Sequence, residues 1–301
     1  MILTLTQPDA SAWDAAAVLL QAGYYAASLG AGGLALFFAG YAYRLDAAEA
    51  AWLRRLTLAA AATAIGLSLL ALVARAGTLG GGEALFDART WSAMMDSPIG
   101  DAFWIRFAGL LLIALLVTRW PAAPHLAASG ALLVAVSYAA MGHSTLYRPR
   151  QELAALVVVH LLAVSFWVGS LLPLARAAAR GEPQAAALIA DWSRLARWLV
   201  LLLVASGALL AALLVRRADL LFATGYGWAL AVKLALVLTM LALALRHAWW
   251  LLPALARGEP GAGRRLAASI RIEALVAVTV FWAAAEMVSI QPLDAGHRVM
   301  R

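Results

Sequence analysis

The sequence of 301 residues contains no cysteine, which excludes disulfides and thiolate metal sites and leaves histidine, methionine and carboxylates as its metal donors. Charge is scarce as well. Only 13% of residues are charged against 64% hydrophobic, about half the charged share of an ordinary soluble domain. Residues 1–17 carry Asp9 and Asp14 but no basic residue, so they lack the positive start of a cleaved secretory signal. The first apolar run is therefore expected to stay in the protein. The balance of 23 basic to 16 acidic residues gives a formal +7, yet the basic residues flank apolar runs rather than forming a patch. The positive-inside rule accounts for them, and nucleic acid is excluded as a partner.

Apolar runs near membrane length recur along the whole chain. A run of about 20 residues crosses a hydrocarbon layer of about 30 Å at about 1.5 Å per residue. The fold class is thus all-α: a polytopic membrane protein, with spans expected at 18–42, 55–75, 101–119, 125–142, 153–175, 196–215, 228–250 and 270–290. Eight spans place both termini on one side. The connections after the odd-numbered spans carry most of the arginines, among them Arg44, Arg176, Arg180, Arg194, Arg264 and Arg265. Those connections are expected in the cytoplasm, and both termini in the periplasm of a bacterial inner (plasma) membrane. Trp13, Trp52, Trp120, Trp249 and Trp250 fall near the span ends, as a lipid-facing aromatic belt requires.

Internal similarity divides the chain into two four-helix halves, 1–150 and 151–301. SPIGDAFWIRFAGLLLIALLV, from Ser97, parallels TGYGWALAVKLALVLTMLALA, from Thr224. In both a glycine opens the span and a basic residue follows six positions later, Gly100 to Arg106 and Gly227 to Lys233. An even number of crossings separates the copies, so they share an orientation and form parallel repeats. YYAASLGAGGLALFF echoes HLLAVSFWVGSLLPL in the same register, which sets Tyr24 opposite His160 and Met141 near the position of Glu286.

His160 is the most unusual residue in this pattern, because an ionisable group in hydrocarbon costs roughly 2 to 4 kcal/mol and by default marks a site. It lies about 10 Å below the outer face, the depth also expected for Arg106 and Lys233. Met141 and His143 close the outer end of span four, and Glu286 and Met287 close that of span eight. A polar, ligand-rich zone near the periplasmic face follows, with His143, His160, Met141 and Met287 as metal donors. Lys233, Arg106, Glu286, Tyr24 and Trp167 would set its charge or hold a cofactor, with Glu286 the expected counter-charge to the cations. His125, His247 and His297 lie at boundaries or in the tail and are read as structural. Glu273 is expected near the cytoplasmic end of span eight, neutralised by Arg271 or Arg265.

The His160 span with Trp167 and Gly169, then SRLARWLVLLLVASGALLAALL, LLFATGYGWALAVKLALVL and RRLAASIRIEALVAVTVFW, resemble in order the copper-resistance protein D (CopD) family. FDARTWSAMMDSPIGDAFWIRF and the Met141–His143 segment extend the resemblance over nearly the whole chain. The resemblance implies copper tolerance by movement of copper through the inner membrane, a copper ion as cargo, and a periplasmic copper chaperone or a second copy of the chain as partners alongside membrane lipid. Imidazole and thioether donors suit reduced copper independently. The span five and span seven pattern also resembles HemJ-type protoporphyrinogen oxidases, whose important His and Lys match His160 and Lys233. That second resemblance implies haem b on His160 and a redox role, with His143 as a further axial ligand.

Overall fold

A computed structural model describes residues 12–141, 150–181, 183–214 and 225–289, and no strand occurs among the described residues. The helices in chain order are α1 (Ala12–Tyr41), α2 (Ala47–Gly80), α3 (Ala88–Met95), α4 (Pro98–Ala114), α5 (Ala123–Ala139), α6 (Arg150–Arg180), α7 (Pro183–Leu214), α8 (Gly225–Arg246), α9 (Leu252–Ala256) and α10 (Ala262–Ser289). A π-helical turn, His247–Leu251, joins α8 to α9 without a break. Seven of the resulting helical stretches are long and apolar enough to cross a membrane. The fourth expected span is shorter: α5 has 17 residues, from Ala123 to Ala139. Its expected range of 125–142 ran past the helix end because Ala140 and Met141 are as apolar as the helix they follow, and periodicity alone does not mark a stop there.

Helix ends follow local chemistry. Asp46 precedes α2 and accepts the Glu49 amide at 2.8 Å, which holds its carboxyl below the usual range. Asp87 caps α3 by accepting from the Arg89 and Thr90 amides. Ser97 caps α4, with Pro98 in the first turn where its missing N–H costs nothing.

The first helix is the hub of the bundle. It packs on α2, α4, α5, α6 and α10, and Ala31, Ala35 and Phe37 on it are fully enclosed. Small residues make the α1–α6 crossing so close that backbone meets backbone: a Cβ on Gly33 would sit 1.7 Å from the Ser165 carbonyl oxygen, and one on Gly169 would sit 2.3 Å from the Gly33 carbonyl carbon. This crossing joins the N-terminal helices to the C-terminal ones. By contrast α7 and α8 lie at the periphery, with only 6% of their most apolar windows buried inside the protein.

The two ends of the bundle differ in chemistry. At one end Arg176 and Arg180 pair with Glu49, Arg180 also with Asp46, and Arg44 and Arg194 both pair with Asp191, tying the α1–α2 turn to α6 and α7. A cleft of about 390 Å³ opens there, lined by Arg44, Asp46, Glu49, Pro173 and Arg180. At the other end α3 lies against α2 and α4, where Met94 fills a small apolar cluster with Leu72, Ala76 and Phe103. Met94 is packing there.

Candidate functional site

Polar groups inside the bundle form three clusters. The first belongs to the N-terminal half and centres on Arg106 of α4, which is 5% exposed. Its guanidinium lies over the rings of Tyr24 on α1 and Tyr138 on α5, 4.9 and 4.4 Å from their centroids, and its Nε donates to Ser137 Oγ at 3.1 Å. Tyr24 and Tyr138 stack on each other, 6.2 Å between centroids, with Tyr25 edge-on to both. The Tyr138 hydroxyl and Ser28 Oγ lie 2.6 Å apart. Arg106 Nη2 is buried without a hydrogen-bond partner. Cation–π contacts with two desolvated rings, each reaching about 2 kcal/mol in such surroundings, thus hold this charge together with its hydrogen bonds.

The second cluster belongs to the C-terminal half. His160 of α6 is half-buried, and its Nδ1 lies 3.0 Å from Ser206 Oγ on α7. That bond orients the ring and leaves Nε2 for another partner. Gly207 lies directly against the ring, since a Cβ there would be 3.3 Å from His160 Cε1. Lys233 of α8 lies within electrostatic reach of His160. The sequence placed His160 and Lys233 in one layer, and the fold sets Lys233 within electrostatic reach of the ring. It brings Tyr24 and Arg106 together.

Of the other expected donors, Met141 lies just past the end of α5 and Met287 near the end of α10, both half-buried. Glu286 is 3% exposed beside Met287. His143 falls outside the described residues. Among the described residues no group of three or more histidines and carboxylates converges as a metal cage. A site at His160 thus has one protein imidazole from the described residues.

The third cluster was not legible in the sequence as a cluster. Glu273 of α10 is 1% exposed, and Trp167 of α6 donates its indole N–H to Glu273 Oε1 at 2.7 Å. The other oxygen, Oε2, faces His247 Nδ1 at 3.4 Å. His247 Nε2 lies 2.9 Å from Ser269 Oγ, which also accepts from Arg246 Nη1 at 3.1 Å. Glu273 is thus served by Trp167 and His247, whereas Arg265 pairs with Glu259 at the surface and Arg271 is exposed. The neutralisation by Arg265 or Arg271 expected from the sequence does not occur. The physical reason is helix length: α10 starts at Ala262, so Glu273 lies three turns inside it rather than at a span end. The signal that was available is the carboxylate itself within an apolar helix.

Two family models match the chain. Copper resistance protein D matches residues 186–287, which include Ser206, Lys233, His247 and Glu273. The copper resistance protein D-like N-terminal domain matches residues 11–148, which include Tyr24, Arg106 and Met141. No curated protein and no solved structure matches the chain. With both halves matched in order and the apolar helices they require in place, the chain belongs to the copper-resistance protein D family, a family of multi-pass membrane proteins of copper resistance.

Proposed function

We propose that this protein carries copper through the bacterial inner membrane, taking it from the periplasmic side at His160. The observation that carries the reading is the His160 ring itself: an imidazole inside an apolar helix, oriented by Ser206 through Nδ1, with Nε2 left for a soft or borderline cation. His143, Met141 and Met287 complete the donor set from the outer ends of span four and span eight. Few donors suit a carrier, which must release its ion as readily as it binds it. Lys233 keeps the resting site from trapping a cation, and Glu286 supplies negative charge at the same end. The matching family models, both of copper resistance, support copper as the cargo.

The architecture of the reading is eight spans in two parallel four-helix repeats, residues 1–150 and 151–301, with both termini periplasmic. Its support is the shared placement of Tyr24 with Arg106 on α1 and α4, and of His160 with Lys233 on α6 and α8. The arginine-rich end, with Arg44, Arg176, Arg180 and Arg194, then faces the cytoplasm. A periplasmic copper chaperone would deliver the ion, and a homodimer would bury the apolar faces of α7 and α8. The haem b alternative gains nothing from the family matches, which are to copper resistance in both halves.

The test is copper bound by the purified protein under reducing conditions, together with an optical spectrum of the same sample. Wild type binds copper and shows no Soret band; His160→Ala loses the copper while staying folded; Ser206→Ala weakens it by roughly tenfold, as loss of an orienting partner does. Unchanged copper in His160→Ala defeats the site, and a Soret band with iron at stoichiometry replaces copper by haem.

A further inference from the structure

The Glu273 cluster plays no part in binding at His160, yet it is the most completely buried ionisable group in the described protein and three helices converge on it. Trp167 stands two turns from His160 on the same face of α6, about 10 Å along its axis, so Glu273 lies roughly that far inward of the imidazole. Arg246 lies nineteen residues past Gly227, about 29 Å along α8, which puts it at the opposite membrane boundary. Exposure falls along the chain of contacts: Arg246 is exposed, the His247 side chain is 12% exposed and the Glu273 side chain 2%. With His247 as its Nδ1–H tautomer the contacts run in one direction. Arg246 donates to Ser269, Ser269 donates its hydroxyl proton to His247 Nε2, the Nδ1–H of His247 then points at Glu273 Oε2, and Trp167 holds Oε1. A small rotation of the imidazole closes the 3.4 Å gap into a hydrogen bond. His247 stands in a π-helical turn, a local widening that recurs at functional positions because it re-aims a side chain. Among the described residues, Trp167 of α6, His247 of the π turn and Arg246 of α8 are the groups that act on the pair. The other helices packed on α10, α1 and α9, give it no hydrogen bond or ion pair.

We propose that Glu273 takes up and releases a proton through His247 and Ser269 on the Arg246 side of the membrane. In uptake the Nδ1–H bond of His247 breaks as Oε2–H forms on Glu273. His247 Nε2 takes the Ser269 hydroxyl proton, and Ser269 Oγ is re-protonated from water beside Arg246. Three protons shift one place each and one proton net passes from water to the carboxyl. Release runs the same steps backwards. Resting on the copper-carrier reading above, this makes Glu273 the charge balance of transport: a cation descending from His160 meets the carboxyl, its proton leaves by His247, and one positive charge replaces another.

Liposomes holding the full-length protein and a pH-sensitive dye test both steps when copper is added outside with a reductant. With the Arg246 side facing the lumen, copper entering wild type displaces protons from Glu273 into the lumen. Glu273→Gln, which keeps an oxygen for the Trp167 indole, loses the copper-driven proton signal to the level of empty liposomes. Full proton movement in that variant overturns the proposal. Should Glu273→Gln not accumulate, His247→Asn is the equivalent break, and an undiminished signal there overturns it equally. If wild type moves no copper, the carrier reading fails and protonation is read alone. An infrared difference spectrum across a pH step shows a carboxyl exchanging with carboxylate in wild type and lacking in Glu273→Gln. Absence of that exchange at every pH where the protein stays folded overturns the proton site, as does a copper-induced carboxylate shift with no proton released.

Discussion

Arg106 and His160 are each a polar residue inside a long apolar helix, one in either half of the chain, but they sit in opposite kinds of environment. Arg106 is enclosed by two stacked tyrosines and Ser137, on helices that are among the most buried of the bundle. His160 has Ser206 and the Leu203 backbone on α7, a glycine against its ring and a lysine within electrostatic reach, beside a helix that turns most of its surface away from the protein. The difference follows from side-chain volume. Three tyrosine rings surround Arg106, while His160 meets only small residues, Ser206 and Gly207, on α7. A cation packed among rings serves stability, whereas the half-buried imidazole is the group the proposed carrier uses.

The comparison breaks most completely where the halves join. Gly33→Leu or Gly169→Leu forces side-chain atoms into backbone across the α1–α6 crossing, at a cost on the order of 3 kcal/mol or more, and no monodisperse protein should be recovered by size-exclusion chromatography. Next comes Arg106→Ala, expected to lower stability by about 2 to 3 kcal/mol through lost cation–π contacts with Tyr24 and Tyr138 and the lost hydrogen bond to Ser137, seen as a drop in Tm with copper binding retained. Were Arg106→Ala to abolish copper binding at unchanged Tm, the two halves would share the site after all.

His160→Ala should reverse that pattern. One hydrogen bond to Ser206 contributes about 1 kcal/mol, so the fall in Tm is small while copper is lost. Gly207→Ala sharpens the point further: its methyl would touch His160 Cε1 at 3.3 Å, displacing the ring by a few tenths of an ångström, and weaker copper binding at nearly unchanged Tm is the outcome to look for. The smallest effect lies at the rim of the N-terminal half. The Thr90 hydroxyl, with the amides of Arg89 and Thr90, holds the Asp87 carboxyl below the usual carboxylate range. Because its folded value is depressed, its stabilisation is present above the ordinary range and is lost as pH falls through the lowered value. A Tm difference between wild type and Asp87→Ala at neutral pH should therefore shrink on acidification; a constant difference would mean the cap acts without its charge.

Much of this was legible along the chain. Helices could be placed because apolar runs of membrane length leave little else possible, and His160 stood out because a histidine in such a run is costly. Boundaries were less legible: α7 starts at Pro183 and α10 at Ala262, earlier than expected, because their first turns are amphipathic and lie at the bundle end among arginines. Ser206 gave no signal, since a serine in an apolar helix satisfies itself on its own backbone at little cost, as Ser206 does with Leu203. Trp167 and Glu273 are 106 residues apart, and His247 read as an interfacial histidine beside Trp249 and Trp250.

The sequence by itself determined the all-helical, membrane-crossing class and the copper-resistance resemblance, because hydropathy and helical rise act locally and need no partner. Only the tertiary structure decided that Arg106 is closed in by aromatics, that His160 faces Ser206, and that Glu273 is held between Trp167 and His247. Those are contacts between helices far apart in the chain, and close packing at small residues such as Gly33 and Gly169 sets which faces meet.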